Sequence, residues 1–140
     1  MSIAKTNIYR EDILDYVDKM KQLIDWTSQS FTTKYPSPFG CAIYDSDNRL
    51  ISIAHDTVIK NSSPIEHAEV NAINNACKSL KKLSLKGCTL YSTCEPCPMC
   101  MSALIWAEIE TLVYSVDTIK DANKYWHNAQ IFHQHNYAII

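Results

Sequence analysis

The sequence predicts an α/β fold, a mixed sheet covered by helices on both faces. Three observations carry that prediction. A long amphipathic helical pattern opens the chain, a hairpin pattern follows it, and the last two strand patterns are separated by a helix. A hairpin is antiparallel, whereas strand–helix–strand favours a parallel crossover, so the sheet is mixed.

The first element runs from about Tyr9 to Phe31. Ile13, Tyr16, Val17, Met20, Leu23, Ile24 and Thr27 share one helical face. Pro36 and Pro38 stop the helix and lead into an extended run, Cys41 to Tyr44. Asp45-Ser46-Asp47-Asn48 is a turn signal, and Leu50 to Ala54 completes a hairpin. A second helix is expected to begin at Pro64. There Ser63-Pro64-Ile65-Glu66 combines a cap residue, a proline at the first helical position and a glutamate three residues after the cap. Its expected end is near Leu80 to Leu83. Cys88 to Thr93 reads as a third strand, Pro96 to about Ala107 as a third helix, and Thr111 to Ser115 as a fourth strand. Beyond Asp117 the pattern weakens to a helix around Ala122 to Trp126.

With 140 residues, 46% hydrophobic and 20% charged, one domain over residues 1–140 is the simplest organisation. No apolar run has the length of a membrane span, and Met1 to Thr6 do not read as a secretory signal. The expected location is the cytoplasm. Six cysteines in that setting point to metal binding or reduced core thiols rather than disulfides. A net charge of -2 argues against non-specific nucleic-acid binding. Gly40 and Gly87 are the only glycines, which excludes a phosphate-binding P-loop and a dinucleotide fingerprint.

The chemistry gathers at two helix starts. His67 and Glu69 lie near the beginning of the second helix, where both reach a ligand placed off its end. Cys97 and Cys100 are three apart at the start of the third, so their sulfurs share a face, and the helix dipole there favours thiolates. One His and two Cys make three ligands. A structural zinc takes four, whereas a catalytic zinc keeps a position for water. Three ligands beside a further carboxylate suggest activated water with Glu69 as proton carrier. Cys94 as a fourth ligand is the competing, purely structural reading.

His67-Ala68-Glu69 followed by Pro96-Cys97-Pro98-Met99-Cys100 resembles the cytidine deaminase superfamily, whose zinc deaminases carry this paired signature. Pro38-Phe39-Gly40 before the first hairpin strand is similar to the family as well, and the likeness covers roughly Tyr9 to Tyr114. It implies a three-layer α/β/α sandwich around a mixed sheet of about five strands, a homodimer or larger oligomer, and hydrolytic deamination. It also implies that His67, Cys97 and Cys100 bind Zn2+ and that Glu69 shuttles protons. Backbone amides near Ala68 and Cys97 are then placed to orient water and ring.

Within the superfamily, Thr93 to Met101 with Trp106 looks most like guanine deaminases and their nucleoside-deaminase relatives. The expected substrate is accordingly a nucleobase or nucleoside, a purine such as guanine first. tRNA adenosine and cytosine deaminases are the alternatives, and a catalytically silent zinc scaffold is the non-enzyme one. Lys78, Lys81, Lys82 and Lys86 read as a solvated helix face rather than an RNA track. Expected substrate contacts are Phe39, Asp56, Ala68, Trp106 and His127. Asp56 stands eleven residues before His67, where the family has an asparagine that touches substrate. A gapless count from Tyr114 brings Trp126-His127-Asn128 to the place where guanine deaminases carry an acidic pair. Cys41, Cys77 and Cys88 read as core residues, His133 and His135 as a solvent-exposed pair. Tyr125, Trp126, Phe132 and Tyr137 are either an aromatic lid over the site or packing for the tail.

Overall fold

The computed structural model describes residues 2–4 and 10–116, with side chains from Ile13 to Ser115. The expected tail helix, His127, the His133 and His135 pair and the tail aromatics lie outside the described residues. Chain order is β1 (Ser2–Ala4), α1 (Arg10–Ser28), β2 (Gly40–Tyr44), β3 (Leu50–His55), α2 (Val58–Asn61), α3 (Ala68–Leu80), β4 (Thr89–Cys94), α4 (Pro98–Trp106) and β5 (Thr111–Val116). The sheet order is β1-β5-β4-β2-β3. The sheet has five strands, four of them substantial, β2 to β5, while the three-residue β1 adds along the β5 edge. β4 and β5 are parallel, and the other neighbours are antiparallel. The mixed sheet and its crossover thus stand as expected.

Strand alternation divides the core into two layers. Cys41, Ile43, Leu90, Leu112 and Tyr114 point to one face, where they meet Ala68, Ala72, Ile73 and Ala76 of α3 and Leu104 of α4. Ala42, Tyr91 and Val113 point to the other, against Tyr16, Met20 and Leu23 of α1. These are the period-2 and period-3.6 patterns read from opposite sides of one sheet. Part of the expected α1 face does not join it: Ile13 and Ile24 are exposed, Val17 is half-buried, and the buried residues of that face are Tyr16, Met20, Leu23 and Thr27. The helix also ends earlier than Phe31, as a 3-10 turn takes over at Gln29–Thr32. Thr27 fixes how closely α1 approaches the sheet. A Cβ on Gly40 would collide with Thr27 Oγ1, so only glycine fits at that crossing.

Helix α3 corrects the sequence reading. It starts at Ala68 with His67 as its N-cap, rather than at Pro64. Glu66 does not form the expected capping box. Its carboxylate instead accepts hydrogen bonds from Thr57 Oγ1 and Asn61 Nδ2, tying the segment before α3 to the end of β3 and to α2. That polar network outcompetes the helical propensity of the proline turn. Among the described residues no helix is long and apolar enough to cross a membrane.

Candidate metal and catalytic site

Helices α3 and α4 begin in the same way. Both N-cap residues, His67 and Cys97, have extended backbone, and neither side chain caps its own helix. Their carbonyls take the first helical hydrogen bonds, from Asn71 N–H and Met101 N–H. An N-cap side chain ordinarily turns back onto the first-turn amides. Here both turn towards each other instead. His67 Nδ1 lies 3.6 Å from Cys97 Sγ and 3.6 Å from Cys100 Sγ. Parallel β4 and β5 produce this meeting, because the crossover sets α4 beside α3 on one face of the sheet.

One imidazole nitrogen and two thiol sulfurs, all within 4.8 Å of one another, form the metal-binding group found among the described residues. This N/S donor set and its partial burial suit zinc. Cys94 is not part of the cluster. It ends β4, and burial followed by the nearby Glu69 pushes its thiol up, away from a ligand's thiolate form. Cys97 behaves oppositely. A hydrogen bond from Cys100 holds its thiol down, to about 6. Cys100 is pushed up by the same hydrogen bond, then by burial and by Glu69. All six cysteines are free.

Glu69 sits in the first turn of α3, buried and outside the ligand trio. Its Oε2 accepts from Cys100 Sγ at 3.3 Å, and its Oε1 accepts from Ser92 Oγ at 2.7 Å. Ser92 was not anticipated from sequence. The signal was available, because alternation through Cys88 and Leu90 places Ser92 on the same inward face. A hydroxyl at such a position needs a polar partner. Asn71 was also missed. Its amide donates to His55 O, Thr57 Oγ1 and Glu66 O, pinning the loop that delivers His67.

The remaining expected site residues divide into two groups. Phe39 and Asp56 are adjacent at the open end of the β2–β3 hairpin, where Asp56 N–H donates to Phe39 O at 3.3 Å. Thr57 N–H donates to Glu66 O at 3.0 Å, which brings Asp56 close to the residues preceding His67. Asp56 Oδ1 accepts from Val58 N–H at 2.7 Å, so one carboxylate oxygen caps the short α2. Phe39 is 45% exposed and Ala68 is buried at the first position of α3. Trp106 is placed differently. It ends α4, roughly 12 Å along the axis from Pro98 at about 1.5 Å per residue, and is 86% exposed. Within this chain it does not approach the His67–Cys97 cradle.

The description of the cytidine and deoxycytidylate deaminase zinc-binding region matches residues 15–116, which hold every element of the cradle. The chain belongs to this deaminase family. Guanine deaminase of Bacillus subtilis (strain 168) is 35% identical over 98 residues, which are 70% of this chain and 62% of that protein. A tRNA-specific adenosine deaminase of Aquifex aeolicus (strain VF5) is 43% identical over 74 residues, 53% of this chain and 49% of that protein. The chain therefore spans about half to three-fifths of the length of these two relatives. The X-ray structure of guanine deaminase from Bacillus subtilis superposes with a TM-score of 0.70 at 29% identity, covering 91% of this chain and 76% of that one.

Proposed function

We propose that this deaminase-family chain hydrolyses the exocyclic amine of a nucleobase, guanine first among the candidates, using zinc held by His67, Cys97 and Cys100. One observation carries the reading. A buried carboxylate outside the ligand trio, Glu69, stands within hydrogen-bonding reach of a proposed ligand at the mouth of two converging helix N-termini. A structural zinc site has no need of such an acid. Zinc bound there supplies the Lewis acidity that makes water a nucleophile at neutral pH.

The chain's own residues supply the rest. Glu69 takes a proton from water as its oxygen adds to the ring carbon that bears the amine. Glu69 passes that proton to the ring nitrogen, then takes the proton of the newly formed hydroxyl and gives it to the departing nitrogen. The C–N bond breaks, leaving a ring carbonyl and ammonia. First-turn amides at the starts of α3 and α4 offer donors for orienting the reacting groups. Phe39 gives an aromatic surface for a planar ring, and Asp56 gives an acceptor for a ring or sugar proton.

Likeness to guanine deaminase in both sequence and fold supports guanine as the substrate. Adenosine in tRNA is the second reading, favoured by the 43% identity of the shorter match. A cytoplasmic location belongs to this reading, with the cysteines serving as metal ligands and core thiols. The test is ammonia release from guanine, adenine, cytosine, their nucleosides, aminotriazines and tRNA. Guanine is expected to lead. Turnover of tRNA alone, weakening steeply with salt, would replace guanine by the second reading.

A further inference from the structure

We propose that Ser92 is a positioning residue, which fixes the Glu69 carboxylate in the orientation that proton transfer requires. The inference rests on the proposed deamination and adds a residue from a different element, the sheet, to a site otherwise built from two helix starts.

Glu69 has two oxygens with different neighbours. Oε2 faces Cys100 Sγ at 3.3 Å, the side on which the metal cradle lies. Oε1 faces Ser92 Oγ at 2.7 Å, a bond between two buried side chains. Ser92 is 1% exposed, so its hydroxyl needs a protein partner, and Glu69 supplies it. Its strand is rigidly held, with Cys41 of β2 opposite Ser92 on one side and Tyr114 of β5 on the other. A glutamate side chain has three rotatable bonds, and a contact at one oxygen alone leaves the carboxylate free to swing. Cys100 gives up its proton on binding a metal, whereas the short hydrogen bond from the sheet persists and limits that freedom. The order of the elements makes this specific: α3 brings the acid, β4 brings the hydroxyl, and α4 brings the thiol. A small misplacement of such a group can cost a large part of the rate.

The test uses Ser92→Ala, Ser92→Thr and Ser92→Val in the zinc-loaded protein. Thr keeps the hydroxyl, while Val has nearly the same shape without it. Zinc content is expected to stay at the wild-type level in all three. Ser92→Ala and Ser92→Val should lose about 10- to 100-fold in kcat with KM changed about twofold or less, and Ser92→Thr should recover most of kcat relative to Val. A second readout needs no turnover. Thermal unfolding of Ser92→Ala, Glu69→Ala and the double variant should be non-additive, because each single change removes the same bond. Wild-type kcat in Ser92→Val, a loss confined to KM, or additive unfolding shifts would each overturn the assignment of Ser92 alone. Absence of turnover by the wild type on every substrate would instead overturn the deaminase reading, and the role of Ser92 with it.

Discussion

Glu69 and Cys100 meet across the gap between α3 and α4, with the Cys100 thiol donating to Glu69 Oε2 at 3.3 Å. The acid is thereby near the metal cradle without belonging to it. Replacing it should separate metal binding from chemistry. Glu69→Ala is expected to retain zinc and the fold and to lose turnover by about 100- to 10,000-fold, the range of a general acid–base group. Near-normal activity would move the proton carrier elsewhere.

The cradle itself should hold about one zinc per chain, as three convergent N/S ligands do. His67→Ala and Cys97→Ala are each expected to lose most of it, measured by metal analysis after dialysis. Cys94→Ala should keep it, because Cys94 stands outside the cluster. Full zinc in the His67 and Cys97 variants would remove both residues from the ligand set.

Asp56 is expected to tune substrate choice. One of its oxygens accepts from Val58 N–H, a bond that an asparagine carbonyl can also make. Asp56→Asn should therefore keep zinc and measurable activity. What changes is the other position, where an ionised acid only accepts and an amide can donate. The ratio of kcat/KM between free bases and their N-substituted nucleosides should shift. An unchanged ratio across all pairs would place Asp56 outside substrate recognition and leave it as the cap of α2.

His55 should make stability depend on pH. Its ring stacks on Trp26 with centroids 3.8 Å apart and planes 15° from parallel. Its Nε2 is buried without a hydrogen-bond partner among the described residues. Burial lowers its pKa from the ordinary histidine value, against a smaller opposing effect of a hydrogen bond to the Thr27 backbone. Between the lowered folded value and the unfolded value, the unfolded chain binds more protons. Stability therefore falls as pH drops through the ordinary histidine range, about 6.5, and is fully present above it. The melting temperature of wild type should decline from about pH 7.5 to about pH 5 more steeply than that of His55→Phe. Equal slopes would mean that His55 is not the group responsible.

The protein is expected to be a homodimer or larger. Ile105 and Trp106 of α4 are exposed, and an indole 86% open to solvent is a large apolar group to leave uncovered. Light scattering at micromolar concentration should give at least twice the 16.0 kDa chain mass. A monomer mass alone would count against it.

How far the sequence revealed these features depends on the range of the interactions involved. That His67, Glu69, Cys97 and Cys100 come together was legible because short spacings at helix starts place such side chains off one helix end. The hairpin and the parallel crossover followed from local periodicity and element order. Tertiary bonds decided the rest. Pro64 resembled a helix start, but Glu66 is committed to Thr57 and Asn61, and the helix waits until Ala68. Alternation through Cys88 and Leu90 marks Ser92 as an inward hydroxyl, but strand periodicity does not name its partner, Glu69, which another element brings. β1 carries just three residues, too few for alternation to register. Trp106 was grouped with the site by family resemblance, and α4 carries it to the end of the helix away from Cys97.

The shared design of the two helix starts has a consequence for how the chain folds. His67 and Cys97 touch although 30 residues separate them. A cation gripped by both closes a ring of chain containing all of α3 and β4. Closing such a ring narrows the ensemble available to the unfolded polypeptide, and the binding free energy becomes part of the folding free energy. The centre proposed for chemistry would then also be a clasp on topology. It fastens the strand between the two helices in place, so that an event at the reacting atoms and the integrity of the surrounding layer are tied to the same few contacts.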